Sequence, residues 1–181
     1  MVYERELRRL VRLTPEEVAH ALDVTKQKVE NVRRQGYQER YGADEQDEKA
    51  SFARNQSGDA GELAYANYQG EEWRPVIRRQ RAEERDVGEH HVRTSMYPAG
   101  DLWIRPGDHE GIYAHLITLR PYDVFWIDGW FTRGQCRDEW LRSWTDPKTG
   151  KERPPVFMIP WWEMFDYAFP DWLKPGELDN P

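Results

Sequence analysis

The sequence predicts an α+β protein in which a mixed β-sheet is flanked by helices and preceded by an N-terminal helical segment. Apolar residues recur at helical spacing before residue 36, and alternating or continuous apolar runs follow between residues 89 and 130. Helices therefore come first, then a run of strands, then a helix and a last strand, an order typical of α+β domains. The length of 181 residues fits one domain. We divide the chain into a helical segment 1–36 and an α+β domain 37–181, and we expect one compact unit 1–181.

The composition is hydrophilic but rich in aromatic residues. The mean hydropathy is −0.97, yet the chain contains nine Trp and nine Tyr residues, which indicates a core built on large rings rather than a disordered chain. No apolar run reaches membrane-spanning length, and no signal peptide is visible. The single Cys136 excludes an internal disulfide and a cysteine-based zinc site. We therefore expect a cytoplasmic protein that does not bind membranes.

The charge is unevenly distributed along the chain. A net charge of −7 is evidence against a broad surface that coats nucleic acid. Acidic residues dominate residues 41–70, whereas arginines dominate residues 74–93. An enzyme that binds phosphate groups only at its active site can have a net negative charge. The alternative is that the arginines lie on a solvent-exposed strand face, which explains them equally well. The six arginines are Arg74, Arg78, Arg79, Arg81, Arg85 and Arg93.

The N-terminal segment begins with apolar residues at helical spacing between residues 3 and 12. A clear helix start follows, because Thr14 can cap the helix, Pro15 suits its first position and Glu17 completes a capping box. An apolar stripe then continues towards Gly36, a plausible C-terminal stop. The pattern favours one amphipathic helix over residues 15–35.

A helix-turn-helix is the alternative interpretation of residues 14–35. Small and apolar residues occupy the positions that such a motif requires, with Asp23 where a glycine is usual. That arrangement needs a break in the helix between Asp23 and Thr25. The apolar stripe runs through these positions without a helix-breaking residue, which favours the single helix.

The following segments are predicted in less detail. Residues 37–57 are polar and lack a clear period, so we expect a loop with one short helix at most. Residues 58–68 indicate a loop that becomes a helix, with Leu63 and Ala66 on its buried side. Glu62 falls in the first turn of that helix, where a carboxylate either interacts with the exposed amides or serves as a metal-site acid.

The remaining chain predicts a series of strands with two further helical pieces. The runs at residues 112–119 and 124–130 are the most apolar, so these strands should be central. A helix is expected from Thr132 to about Ser143, with Trp140 and Leu141 facing inward, and a final helical turn begins at Trp161. The predicted strands are residues 73–79, 89–95, 102–105, 112–119, 124–130 and 156–159.

The nine residues 86–94 carry the strongest functional pattern. Asp86 opens a turn, and His91, Arg93 and Ser95 then share one face of a strand, since side chains alternate along a strand. An acid, a ligand side chain and a cation in this arrangement can hold a divalent metal and a phosphate side by side. The alternative is a charged edge hairpin without chemistry.

Several motifs occur together in a particular order. They are the capped first helix before Gly36, Gly61-Glu62-x-Ala64, Asp86-Val87-Gly88 before Val92-Arg93-Thr94, Leu102-Trp103-Ile104-Arg105-Pro106 with Asp108, Gly129-Trp130, Glu139-Trp140-Leu141, and Arg153-Pro154-Pro155 before Ile159-Pro160. In this set, which covers most of the chain, the sequence resembles phage-encoded proteins of the PD-(D/E)XK nuclease-like superfamily. The resemblance implies a restriction-endonuclease-like core of a helix, a strand meander, a helix and a strand.

The resemblance also implies roles for individual residues. Glu62 matches the helix acid, Asp86 the metal-binding acid and Arg93 the lysine position, whereas His91 stands where the superfamily has Glu, Asp or Gln. Imidazole binds Mn²⁺ better than Mg²⁺, and arginine cannot act as a base. Glu89 is the carboxylate that could replace the missing acid. The implied catalytic residues are Glu62, Asp86, His91 and Arg93; the implied ligands of Mg²⁺ or Mn²⁺ are Glu62, Asp86, His91 and Glu89; the implied contacts to DNA phosphates are Arg78, Arg79 and Arg105.

Three functions follow as hypotheses. The leading one is a metal-dependent DNA endonuclease, a phosphodiester hydrolase of a phage acting in the host cytoplasm. The second is a catalytically inactive nuclease fold that binds DNA or a protein. The third is a helix-turn-helix regulator. The oligomeric state stays open, with a homodimer as one alternative.

Overall fold

The computed structural model describes residues 9–35, 45–77, 84–96, 100–120, 122–143, 145, 150, 152–160 and 163–164. Within these residues the fold is mixed α+β, with two helices, one four-stranded sheet and one three-stranded sheet. The α+β class predicted from the order of elements is therefore confirmed. The helices are α1 (Pro15–Arg34) and α2 (Glu45–Gln69). The strands are β1 (Leu10–Arg12), β2 (His90–Ser95), β3 (Leu102–Ile104), β4 (Ile112–Arg120), β5 (Val124–Thr132), β6 (Leu141–Arg142) and β7 (Val156–Ile159).

Helix α1 is continuous and begins with the predicted capping box. The hydroxyl of Thr14 accepts a 3.2 Å hydrogen bond from the backbone N–H of Glu17, whose carboxylate accepts a 2.7 Å bond from the N–H of Thr14. Val24 and Thr25 are buried in an unbroken helix. The helix-turn-helix alternative, which required a break here, is therefore wrong. Gly36, the predicted stop, lies outside the described residues.

Helix α2 is longer than its sequence predicts. The loop expected at residues 37–57 is wrong from Glu45 onward, because a single helix runs from there to Gln69. Polar side chains such as Ser57 and Asp59 are buried in it, and Ala60 and Ala64 pack into the main core. Leu63 and Ala66 are buried as predicted. Packing against α1 and the sheet stabilises a helix that has little apolar periodicity of its own.

The four-stranded sheet has the order β1-β5-β4-β2. Strand β5 pairs antiparallel with both β1 and β4, and β2 pairs parallel with β4. The predicted central position of β4 and β5 is confirmed. Residues 10–12, where helical spacing was expected to continue, instead form an edge strand. Pairing with β5 satisfies their backbone groups and overrides the local pattern.

The three-stranded sheet has the order β3-β7-β6 and is antiparallel. The helix predicted from Thr132 to Ser143 is wrong, because Thr132 ends β5 and two 3₁₀ turns, Arg133–Gln135 and Asp138–Trp140, lead into β6. The backbone between these turns is extended at Cys136 and Arg137, and β6 pairs with β7. Trp140 is buried as predicted, whereas Leu141 is exposed.

Two further predictions concern the ends of the described segments. Residues 73–77 are described but form no strand, so the strand predicted at 73–79 is wrong in that part, and Arg78 and Arg79 lie outside the described residues. Of the final helical turn, only Glu163 and Met164 are described, and Glu163 has a 3₁₀ conformation.

The two faces of the four-stranded sheet pack against different layers. Val92, Ala114 and Leu116 contribute to a core shared with the two helices. Tyr113 and Phe131 point to the opposite face, where they pack against the three-stranded sheet. Because His91 is the register partner of Tyr113, His91 and Arg93 lie on this second face. Neither described helix is long and apolar enough to cross a membrane.

Candidate functional site at the start of β2

A tight turn places Asp86 beside the strand that follows it. The backbone N–H groups of Asp86 and Val87 donate to the carbonyl of His90, and Gly88 adopts a positive φ of 52°. The Asp86 carboxylate then reaches forward and accepts a 2.7 Å hydrogen bond from the N–H of Val92. Its side chain is only 5% exposed. The predicted metal-binding acid is thus held in a defined position at the edge of β2.

Arg93 lies next to Asp86 in the structure. Its Nη1 atom is 3.6 Å from Oδ2 of Asp86, and its Nη2 atom is 3.4 Å from Oδ2 of Asp108. The guanidinium also lies over the ring of Tyr113, 5.2 Å from its centroid. The Arg93 side chain remains 37% exposed, so the cation can contact a bound anion.

His91 is buried and has a protein group close to each ring nitrogen. Its ring stacks on Tyr113 at a centroid distance of 4.7 Å. Nε2 lies 2.6 Å from Nη1 of Arg85, and because arginine only donates, Nε2 is the acceptor and Nδ1 carries the proton. Nδ1 faces Oδ2 of Asp86 at 3.9 Å. Burial lowers the pKa of His91 to about 4. The negative charge of Asp86 opposes this shift, and the positive charges of Arg85 and Arg93 add to it.

Glu62 lies on α2, which packs closely on β2. A Cβ atom added to Gly61 would lie 2.2 Å from Oγ1 of Thr94, so only glycine permits this approach. Oε2 of Glu62 accepts a 3.2 Å hydrogen bond from Nε1 of Trp73. Burial raises the pKa of Glu62 to about 8; Lys28 opposes this rise, and the negative charges of Asp86 and Asp59 add to it.

Lys28 and Asp59 belong to the same charged group, although the sequence analysis did not identify them. Nζ of Lys28 lies 2.5 Å from Oδ1 of Asp59 and 4.0 Å from Oε2 of Glu62. The hydroxyl of Thr25 donates a 2.6 Å hydrogen bond to the other oxygen of Asp59. Burial lowers the pKa of Lys28, but the carboxylates of Glu62 and Asp59 outweigh it, so the net shift is upward. The three-residue spacing of Asp59 and Glu62 would have indicated a shared helix face, had α2 been predicted to begin before Asp59.

The other predicted site residues are less central. Glu89 is exposed on the turn, and Arg105 is exposed, with its backbone N–H donating to Asp108. Arg78 and Arg79 lie outside the described residues. Within the part of the chain that is described, no three or more His, Cys, Asp or Glu side chains are grouped to hold a metal ion. Glu62 and Asp86 are two of the described carboxylates, and Mg²⁺ is commonly held by one or two carboxylates together with water and substrate phosphates.

No family model, curated protein or solved structure matches this chain. The fold and the site define it as a mixed α+β protein with a carboxylate–arginine site at the start of an edge strand. The resemblance to PD-(D/E)XK nucleases rests on the sequence motifs alone.

Proposed function

We propose that this protein is a divalent-metal-dependent phosphodiesterase that cleaves DNA and has a restriction-endonuclease-like core. The observation that carries this proposal is the arrangement at the start of β2, where Oδ2 of the buried Asp86 side chain lies 3.6 Å from Nη1 of Arg93, whose side chain is 37% exposed. A carboxylate beside a permanently charged and partly exposed guanidinium can help to hold a hard cation and a phosphate next to each other.

Glu62 and Asp86 are the carboxylates that would hold the metal. A divalent ion bound there supplies an activated water and offsets negative charge on the scissile phosphate. Arg93 would contact the phosphoryl oxygens, because Asp86 and Asp108 orient its guanidinium while part of it remains exposed. Its charge is permanent, so it stabilises developing negative charge and does not accept a proton.

His91 supports the site as a neutral group in the described geometry. Its hydrogen bond with Arg85 and its stacking on Tyr113 fix the ring next to Asp86. For His91 to bind a metal through Nε2, Arg85 would have to move away, since one lone pair cannot serve both. The described contacts therefore favour Glu62 and Asp86 over His91 as metal ligands.

Cleavage assays test the proposal directly. The protein is incubated with duplex, nicked and single-stranded DNA in Mg²⁺ and in Mn²⁺, alongside Asp86→Asn and Glu62→Gln. We expect metal-dependent cleavage by the wild type and loss of cleavage by both variants. These substitutions keep the shape of each side chain and a hydrogen-bond acceptor, so the loss would report on charge. Absence of cleavage with every substrate, or equal cleavage by Asp86→Asn, would overturn the nuclease assignment.

A binding module without catalysis is the second candidate. It is favoured by the engagement of His91 with Arg85 and by the small number of carboxylates available to a metal within the described residues. Thermal unfolding in Mg²⁺ and Mn²⁺ separates the two functions. A metal at 100 times its dissociation constant stabilises a protein by about 2.7 kcal/mol. DNA binding without any metal-induced stabilisation would support the binding module.

A further inference from the structure

We propose that the outer side of the three-stranded sheet binds single-stranded DNA, with a base stacked on Trp103 and phosphates held by Arg105 and Arg142. Arg105 is the one of these residues that the sequence already indicated as a phosphate contact. The surface is built from other residues than the candidate site at β2. The choice of DNA as the partner rests on the proposed function.

Trp103 presents a large aromatic ring to solvent from the middle of β3. It is 45% exposed, and among the residues that the structure describes it is the only exposed Trp, Tyr or Phe. Its neighbours Leu102 and Ile104 are fully buried, so the strand alternates regularly and directs Trp103 away from the core. Tryptophan is highly buried on average, and an exposed ring on a strand is the kind of platform on which single-stranded bases stack.

The strand register places two arginines on the same side of the sheet. Trp103 pairs with Met158 of β7, and Val156, two residues before Met158, pairs with Arg142 of β6. Paired residues and residues two apart along a strand share one side, so Arg142 lies on the side of Trp103. The alternation of buried and exposed residues continues to Arg105, which is exposed and directly follows β3. Two residues span about 7 Å along a strand, so one nucleotide can reach both Trp103 and Arg105.

The Arg142 guanidinium is held by backbone groups. Its Nη1 atom donates to the carbonyls of Glu139 and Leu141, at 2.6 and 3.0 Å. These bonds orient the guanidinium, and its Nε and Nη2 atoms take part in no described hydrogen bond. A phosphate oxygen can therefore accept from these two atoms without the loss of an existing contact.

The local charge on this side favours a polyanion. The strands β3, β6 and β7 contain no acidic residue, although the whole chain has a net charge of −7. Of the acids beside the strands, Glu139 has its carboxylate 3.5 Å from Arg137, and Glu152 is exposed four residues before β7. An aromatic ring among local cations is the combination by which proteins bind single strands, whose base faces are accessible, rather than duplexes.

The test measures the fluorescence anisotropy of a labelled oligothymidine of about 16 nucleotides in a metal-free buffer, so that cleavage plays no part. We expect saturable binding by the wild type, and binding weaker by roughly 5- to 150-fold for Trp103→Ala, the effect of losing one base stack. Trp103→Phe keeps a ring and should retain most of the affinity. Leu141→Ala is the matched control, because Leu141 is 37% exposed on the same sheet but pairs with the core residue Phe157.

The salt dependence of binding tests the arginines. Each phosphate contact to a single strand contributes about 0.7 to the slope of log affinity against log salt concentration, so Arg142→Gln should reduce that slope by about 0.7. Lys26→Gln is the control, since it removes the same charge from a 58% exposed position on α1, and it should leave the slope unchanged. Circular dichroism checks the fold of each variant, and Trp103→Thr replaces Trp103→Ala if the alanine variant is unfolded.

The outcomes separate this surface from the nuclease activity. Single-strand binding that depends on Trp103 and Arg142, with no DNA cleavage by any protein in Mg²⁺ or Mn²⁺, would support the surface and overturn the nuclease assignment. Cleavage by the wild type, with single-strand affinity equal in the wild type and in the Trp103 variants, would overturn the surface alone. Tighter binding of duplex DNA or of oligouridine than of oligothymidine would overturn single-stranded DNA as the partner.

Discussion

The carboxylate of Asp86 accepts a 2.7 Å hydrogen bond from the backbone N–H of Val92, six residues further along the chain. The same oxygen lies 3.6 Å from the guanidinium of Arg93 and 3.9 Å from the imidazole of His91. One acidic side chain therefore fastens the turn to the edge of β2 and also forms part of the candidate site.

The two roles of Asp86 can be separated by substitution. Asp86→Ala leaves the N–H of Val92 without its acceptor, and a buried donor left unsatisfied costs about 1–3 kcal/mol of stability. Asp86→Asn keeps an acceptor oxygen and should lose less stability, although it removes the charge. Chemical denaturation measures both variants. Equal stability of the Ala and Asn variants would show that the hydrogen bond to Val92 contributes little.

The contact between Gly61 and Thr94 predicts a strong dependence on side-chain size. Gly61→Ala should destabilise the protein by about 1–3 kcal/mol, because the new Cβ would lie 2.2 Å from Oγ1 of Thr94. Gly58→Ala on the same helix is the matched control, since nothing lies within 4 Å of its added Cβ, and it should stabilise by about 0.5–1 kcal/mol.

Thr94→Ala should rescue Gly61→Ala, because it removes the atom that the new methyl group meets. Among the described residues the buried hydroxyl of Thr94 has no hydrogen-bond partner, so its removal costs none of the described hydrogen bonds. Thermal denaturation of the single and double variants measures the coupling. If the losses of stability from Gly61→Ala and Thr94→Ala simply added in the double variant, α2 and β2 would not be in contact at these two positions.

The raised pKa of Glu62 predicts that the stability of the protein falls as the pH rises. Its pKa is raised from 4.5 in an unfolded chain to about 8 in the folded protein, so between these values the folded state keeps a proton that the unfolded state has lost. The contribution of Glu62 to the free energy of unfolding is fully present below pH 4.5 and is lost as the pH approaches 8. The free energy of unfolding falls by at most about 1.4 kcal/mol per pH unit over this range. Glu62→Gln should abolish this slope in metal-free denaturation measurements between pH 6.5 and 8. An unchanged slope would contradict the raised pKa.

The lowered pKa of His91 predicts that the stability of the protein falls as the pH falls, at lower pH than the effect of Glu62. Its pKa is lowered from 6.5 to about 4, so in this window the unfolded state binds a proton that the folded state excludes. The contribution of His91 to stability is present above pH 6.5 and is lost as the pH falls towards 4. His91→Gln, which keeps polar atoms near Arg85, should remove the acid-side loss. Nuclear magnetic resonance titration of the His91 ring checks the same shift, and a midpoint near 6.5 would contradict it.

The pKa of His91 also changes the expected pH dependence of metal binding. The sequence predicted that a histidine ligand would lose metal as the pH fell through about 6.5. Burial lowers the pKa of His91 to about 4, so we expect that protonation of His91 does not weaken metal binding near pH 6.5. Mn²⁺ affinity measured for the wild type and His91→Glu at pH 5 and pH 7.5 tests this. If the Mn²⁺ affinity of the wild type fell between pH 7.5 and pH 5, and that of His91→Glu did not, the result would support His91 as a metal ligand.

The sequence alone determined the features that depend on neighbouring residues. Thr14, Pro15 and Glu17 specify the start of α1, because the capping box closes within four residues. The apolar runs of β4 and β5 specify the central strands, since strands buried on both faces need continuous apolar residues. The proximity of Asp86 and Arg93 follows from a turn and a short strand.

Only the tertiary structure decided the features that depend on distant partners. Helix α2 extends through a polar stretch because packing on α1 and the sheet replaces the missing apolar period. Leu141 and Arg142 form β6 because β7 offers backbone partners. Lys28 joins the site across 31 residues of sequence from Asp59, and Arg85 changes the surroundings of His91. No local pattern encodes these contacts, because their free energy arises only when separate elements bury charged groups against one another.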